Sequence, residues 1–286
     1  MTSNDPIRRV SVVSTGSVKI RPDHRAATWR PMFWWLLTSR HWTDPAPINV
    51  YVIEHRDGLV VFDTGQDRAS VTDRDYFPGG LTGVLYDRLA SFEIGPEETL
   101  SNGLNRLGYA ASDVGTAILS HLHQDHIGGL RELSRADIIV SSTEWNTLSS
   151  PLPEMRGLMS RHIDLPGLRW QRIEPEPTDE PGLAPFGACH DLFGDGSLVL
   201  LPTPGHTPGS MSLLVRRPGR ATLMMVGDLT YDVHVLEDGH VPGVGRRRQL
   251  RESTTKVNQL RRLYSDLVIL PAHDPRAADR LQQATR

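Results

Sequence analysis

A chain of 286 residues, 38% of them apolar, is long enough to bury a sizeable core without covalent staples. Its one cysteine, Cys189, cannot close an intrachain disulfide, and no apolar run approaches the ~20 residues that cross a bilayer. A net charge of −3 leaves no electrostatic footprint for a nucleic acid, and the first residues lack the basic-then-apolar pattern of a secretory signal. Composition therefore describes a soluble, cytoplasmic α/β protein with neither membrane nor nucleic acid as partner.

Residues 7–13 alternate loosely and are rich in valine, which predicts a first strand. Between positions 29 and 42 lie Trp29, Trp34, Trp35 and Trp42, with Met32 and Phe33 among prolines and arginines. Having neither strand nor helix periodicity, this stretch reads as an apolar loop. It either packs as core or as a homodimer contact, or it walls the mouth of a site, and these roles are compatible. Residues 48–53 and 59–62 are β-rich and separated by a short Gly-containing loop, a hairpin signal. Residues 66–96 read as a long, partly irregular connection. Pro96, followed by Glu97 and Glu98, predicts a helix start; Leu100, Leu104 and Leu107 form its apolar stripe, and Gly108 its end.

The run 114–119 has strand length and leads into Ser120-His121-Leu122-His123-Gln124-Asp125-His126-Ile127-Gly128-Gly129. In an extended segment, positions i and i+2 share a face, so His121 and His123 can aim at one point. Asp125 and His126 follow on a turn and can aim at a second point nearby. Imidazole and carboxylate are the ligands of zinc and similar divalent metals. A short helix from Gly128, a strand at 137–140 and a helix at 143–145 come next. Residues 150–196, rich in proline and glycine with an acidic run at 174–181, read as a long irregular insertion, its His162 and His190 as solvated loop residues. Strands are predicted at 197–201, 211–215, 221–226 and 267–270. A helix after Arg246-Arg247-Arg248 carries Val257, Leu260, Leu263 and Tyr264 on one face, and a short terminal helix closes the chain.

The spacing H-x-H-x-D-H at positions 121–126 resembles the signature of the metallo-β-lactamase superfamily. His206 in Thr203-Pro204-Gly205-His206, Asp228 after Met225-Val226-Gly227, and His273 after Leu270-Pro271-Ala272 match the remaining three ligands in order. The resemblance implies a single domain over 1–286, an αββα sandwich of two mixed sheets with outer helices and metals at one edge. It assigns His121, His123 and His206 to one ion, and Asp125, His126 and His273 to the other, with Asp228 bridging. Two divalent ions are implied as cofactors, zinc first, with iron, manganese or cobalt as alternatives. It gives Asp63 the task of orienting a ligand histidine from behind. A hydroxide held between the ions would attack an ester-like bond. Tyr231, three residues past Asp228, stands where the N-acyl-homoserine lactone lactonases of this superfamily carry a tyrosine that polarises the substrate carbonyl. Lactone opening, with Asp125 and Tyr231 catalytic, is the expected activity on a small molecule with an apolar chain; phosphotriesterase or arylesterase chemistry is the alternative. Gln124, where those lactonases usually carry an apolar residue, departs from their pattern, as does the length of 150–196.

Overall fold

The computed structural model describes residues 5–285; residues 1–4, read above for a leader, and residue 286 lie outside the described residues. The first sheet is built from β1 (Ile7–Ile20), β2 (Ala46–His55), β3 (Gly58–Phe62), β4 (Ala90–Glu93), β5 (Val114–Ile118), β6 (Asp137–Ser141) and β7 (Arg169–Ile173). In space they run β4-β1-β2-β3-β5-β6-β7, antiparallel from β4 to β3 and parallel from there to β7. The second sheet takes β8 (Glu176–Pro177), β9 (Ala188–Asp191), β10 (Leu198–Pro202), β11 (Met211–Val215), β12 (Leu223–Gly227) and β13 (Val268–Pro271). Its order is β13-β12-β11-β10-β9-β8, antiparallel except for the β12–β13 pair.

The central strands read as continuous apolar runs because both of their faces are covered. On β5, Ile118 points to the second sheet, whereas Ala117, and Leu119 just beyond the strand, pack outward against Leu100 and Leu104 of the helix Leu100–Arg106. On β11, Met211, Leu213 and Val215 point to the first sheet, and Leu214 packs outward with Leu250, Val257 and Leu260 of the helix Arg247–Leu263. Helix, sheet, sheet, helix is the αββα order expected. Each of these Leu, Ile, Val and Met side chains contributes roughly 1.5–3 kcal/mol by leaving water.

Several local expectations need correction. Strand β1 continues past residue 13 to Ile20 through a register shift at Gly16, whose φ of +112° a side chain would resist. Pro96 does not open a helix: the Glu98 carboxylate accepts from the Gly95 N–H, and the helix begins at Leu100, capped by the Thr99 side chain on the Asn102 N–H. The connection 66–96 contains helices Ala69–Thr72 and Gly80–Leu89 besides β4. The aromatic stretch 29–42 is not all loop; Met32–Thr38 is helical, too short to display a period. Residues 150–196 are not an irregular insertion, because they supply β7, β8 and β9, and their prolines and glycines mark the turns between. His162 is no free loop residue: it stacks on Tyr76 at 4.2 Å and bonds its carbonyl. Leu263, expected on the buried face of its helix, is exposed. No helix among the described residues is long and apolar enough to cross a membrane.

One buried carboxylate joins the two sheets beside the motif loop. Glu144, in the helix Ser142–Asn146 after β6, is fully buried and accepts from Leu122 N–H (3.1 Å), Thr207 Oγ1 (2.7 Å) and Gly209 N–H (3.0 Å). Gly209 is required there, since a Cβ would lie 2.2 Å from the Glu144 nitrogen. Glu144→Ala strands the buried Leu122 and Gly209 N–H groups, each worth about 1–3 kcal/mol when left unpaired, while the Thr207 hydroxyl keeps Ser210 Oγ at 2.7 Å. Urea unfolding is expected to show a loss of about 3 kcal/mol or more, and Glu144→Gln, which keeps an acceptor oxygen, is expected to lose less. Equal midpoints for wild type and Glu144→Ala would contradict this.

Candidate metal centre

Five strand ends deliver the cluster. Asp63 follows β3, residues 120–126 follow β5, His206 lies on the turn between β10 and β11, Asp228 follows β12, and His273 follows β13. Asp63 takes a left-handed conformation, φ 61°, which turns its carboxylate back over the motif. Its Oδ1 accepts from Ser120 N–H (2.7 Å), and its Oδ2 from Ser120 Oγ (2.9 Å) and His126 Nδ1 (2.8 Å). That contact is the one expected of Asp63.

The structure brings all seven sequence-predicted ligands together. Three groups, His121 with His123 and His206, His121 with His126 and Asp228, and Asp125 with His126 and His273, each hold their donor atoms within 4.8 Å of one another. Asp228 lies between the halves: its Oδ1 is 3.3 Å from the Nε2 of both His126 and His273, and its Oδ2 is 3.5 Å from His206 Nε2. Asp125 Oδ2 is 3.4 Å from His273 Nε2.

The hydrogen bonds sort three of the imidazoles, His121, His126 and His273, into a nitrogen tied from behind and a nitrogen turned inward. His121 Nδ1 meets Ser120 Oγ at 3.0 Å, His126 Nδ1 donates to Asp63, and His273 Nδ1 donates to Pro47 O at 3.0 Å. Their Nε2 atoms, with Asp228 Oδ1, are buried and have no hydrogen-bond partner among the described residues. His123 is turned the other way, its Nε2 on Arg156 O at 3.1 Å and its Nδ1 2.9 Å from His206 Nε2. Orientation of His121, His126 and His273 from behind, with Nε2 turned inward, is what a metal-binding histidine set requires. The donor set of five imidazoles and two carboxylates fits divalent ions of borderline softness.

Electrostatics split the cluster in the absence of ions. Burial, then the neighbouring imidazoles, hold His121 well below its ordinary pKa, and burial takes His206 down to about 3. Burial also opposes charge on His126 and His273, but facing carboxylates outweigh it, raising His126 well above its ordinary value and His273 to about 10. Burial would lift Asp125 and Asp228 too, yet the same histidines pull both down, Asp125 to about 2. The ion-free cluster thus holds protons on the Asp125–His126–His273 side and lone pairs on the other.

Above the cluster opens a cavity of about 470 Å³. Its lining includes the apolar Val18, Ile20, Met32, Leu89, Ala90 and Phe92, and also Arg156 and Arg246. Arg246, at the head of the helix predicted after Arg246-Arg247-Arg248, thus lines the cavity too. Gln124 lines the cavity as well. Tyr231 is buried in the wall with its hydroxyl 2.8 Å from Asp228 Oδ2, and burial followed by Asp228 raises its pKa. Sequence reasoning missed His24 and Glu144. His24 lines the same cavity beside Tyr231. Neither sits in a spacing pattern that could have singled it out.

Residues 43–273 match the model of the metallo-beta-lactamase superfamily. The chain is 29% identical over 237 residues to the N-acyl homoserine lactonase AttM of Rhizobium radiobacter, covering 81% of this chain and 83% of that protein. It is 28% identical over 211 residues to the N-acyl homoserine lactonase AiiA of Bacillus thuringiensis subsp. kurstaki, covering 73% and 74%. Among solved structures, an N-acyl homoserine lactone hydrolase with N-hexanoyl-L-homoserine at its catalytic metal centre superposes with a TM-score of 0.75 at 22% identity, over 98% and 96% of the chains. AidC, described as a dizinc quorum-quenching lactonase, superposes with a TM-score of 0.62 at 18% identity, over 96% and 92%. With the family model spanning most of the sequence and the ligand set converging at one sheet edge, this chain belongs to the metallo-beta-lactamase superfamily.

Proposed function

We propose that this chain is a metal-dependent lactonase that opens the ring of an N-acyl homoserine lactone in the cytoplasm. The observation that carries the reading is the Tyr231 hydroxyl, set against Asp228 in the wall of a largely apolar cavity directly over the ligand cluster. Two of the relatives and two of the superposed structures bear that activity in their names. The cytoplasmic placement is supported by the single free thiol of Cys189, which suits a reducing compartment.

His121, His123 and His206 would hold one ion and Asp125, His126 and His273 the other, with Asp228 shared; zinc is the proposed metal. When bound, the two ions supply Lewis acidity and activate water near neutral pH. The chain's own groups do the rest. The Tyr231 hydroxyl turns from Asp228 to the lactone carbonyl oxygen as negative charge builds there. Asp125, an ionised carboxylate at the edge of the cluster, takes a proton from the attacking water and delivers it to the ring oxygen as that bond breaks. Val18, Ile20, Leu89 and Phe92 receive the acyl chain, and Met32 brings the helix Met32–Thr38 to the mouth. The exposed apolar face of that helix, with Phe33, Trp34 and Leu37 beside Trp29, is where a second copy of the chain would pack.

Elemental analysis of protein loaded without excess metal is expected to give close to two equivalents per chain. His126 and His273, whose raised pKa values keep them protonated at pH 7, must lose those protons to bind, so ion uptake should release protons and tighten as pH rises through neutrality. Calorimetry in buffers of different ionisation enthalpy reads this directly, and a proton-silent uptake would contradict it. Tyr231→Phe should cost up to about 10²–10³ in kcat with little change in KM. A panel of lactones, phosphotriesters, thioesters and β-lactams decides the substrate class: a phosphotriester turned over faster than every lactone ends the lactonase reading. Sedimentation should show a dimer that Trp34→Glu splits into monomers; a monomeric wild type would remove the second copy from the account.

A further inference from the structure

The cavity contains one histidine that the ligand set does not use. His24 belongs to the short helix Pro22–Arg25, at the end of the long strand β1. Its backbone is fixed on both sides: its N–H donates to Arg21 O at 2.9 Å, and its carbonyl accepts from Gly243 N–H at 2.9 Å. The residue is buried, 9% exposed. Trp35, fully buried in the aromatic stretch, stacks behind it at 6.1 Å and 27°, and the Tyr231 ring meets it edge-on at 5.4 Å and 80°. Tyr231 in turn stacks on the ligand His273 at 5.5 Å. Trp35, His24, Tyr231 and His273 thus form one column of rings leading from the helix Met32–Thr38 to the cluster.

Hydrogen-bond accounting fixes the direction of the contacts along this column. The Tyr231 oxygen is 2.8 Å from Asp228 Oδ2 and 3.1 Å from His24 Nε2. A phenol has one hydrogen, and an ionised carboxylate can only accept. Two oxygens 2.8 Å apart need a hydrogen between them, so the phenolic hydrogen points to Asp228. His24 Nε2 must then carry a hydrogen and donate it to the phenol oxygen. The other ring nitrogen, Nδ1, is buried without a partner among the described residues. As a bare lone pair it is the cheaper orphan, since a buried unpaired N–H is the rarer defect in folded proteins. Burial lowers the His24 pKa to about 4, so at neutral pH the ring has the single hydrogen that this arrangement uses.

We propose that His24 is a positioning residue for Tyr231, its Nε2–H fixing the phenol oxygen and polarising the hydroxyl that serves the substrate carbonyl. With one lone pair of the phenol held by His24, the hydroxyl hydrogen can swing between Asp228 and the carbonyl oxygen while the oxygen itself stays in place. A donor to that oxygen also stabilises the charge it gains as it gives its hydrogen away. Trp35 holds the His24 ring from behind, which assigns the buried face of the aromatic helix to catalysis and leaves its outer face for other contacts. The proposal rests on the role given to Tyr231 above.

A double-mutant cycle on the metal-loaded enzyme tests it, run on whichever ester the panel finds best. His24→Phe is expected to lower kcat about 3- to 10-fold with KM little changed, the effect of one hydrogen bond. In the Tyr231→Phe background, where no phenol oxygen remains, the same change should cost less than about 2-fold. His24→Gln, whose amide nitrogen reaches the Nε2 position, should retain most of the activity; His24→Asn, whose amide is too short, should not. Long-range ¹H–¹⁵N spectra of histidine-labelled protein, with and without zinc, should show His24 protonated at Nε2. This last reading needs neither substrate nor activity, and it stands if His24→Phe fails to fold. An Nδ1–H tautomer, equal losses in both backgrounds, or His24→Gln no better than His24→Asn overturns the proposal. If the cycle couples on another ester while lactones are inert, the lactonase reading fails and the role of His24 stands.

Discussion

Four buried atoms, Nε2 of His121, His126 and His273 and Oδ1 of Asp228, lie at one sheet edge with no hydrogen-bond partner outside the cluster among the described residues, and the structure around them holds them there. An unpaired buried polar atom costs about 1–3 kcal/mol, so a folded chain relieves such atoms wherever side chains can turn. Here they cannot turn. The far nitrogen of each of the three imidazoles is bonded to Ser120, Asp63 or Pro47, and Ser120 and Asp63 are bonded to each other. The ring planes are therefore fixed before any ion arrives, and binding energy need not be spent on ordering them.

That rigidity comes from the sheets. Parallel strands β3 and β5 of one sheet, and β12 and β13 of the other, end at the same edge of the sandwich and launch Asp63, the motif loop, Asp228 and His273 side by side. Backbone bonds cross between the sheets at this edge, from Met211 N–H to Ser120 O and from Asn49 N–H to Ala272 O, both 2.9 Å. Glu144 adds the third tie, clamping the motif loop to the His206 turn. A shift of one sheet against the other would separate histidines and carboxylates that the two sheets bring within 4.8 Å of one another. The apolar residues between the sheets accordingly set the geometry of the polar edge.

The cavity over the cluster divides its labour by chemistry. Its apolar residues could take a hydrocarbon chain without demanding hydrogen bonds, and its polar floor carries the clustered histidines and carboxylates. The helix Met32–Thr38 serves two environments at once. Trp35 faces inward to the His24 ring, and Phe33, Trp34 and Leu37 face outward. Seven residues with apolar side chains on every face leave no amphipathic signature, so the sequence pattern reads as a loop.

The sequence by itself determined the motif and its chemistry, because His121, His123, Asp125 and His126 are neighbours along one strand end and their convergence is a local matter of strand and turn. His206, Asp228 and His273 each follow an apolar run, but only their resemblance to a family pattern joined them to the motif. Strand and helix positions were legible wherever periodicity lasted long enough, and were misread at Pro96, at 32–38 and across 150–196, where capping chemistry or sheet pairing overrode local composition. What the tertiary structure alone decided are the partners of single residues. Glu144 and Thr207 are 63 positions apart, and His24 and Tyr231 are 207 apart. No spacing rule connects such pairs: a buried carboxylate gains its donors, and a buried imidazole its phenol, only when sheet packing brings distant segments within 3 Å or so.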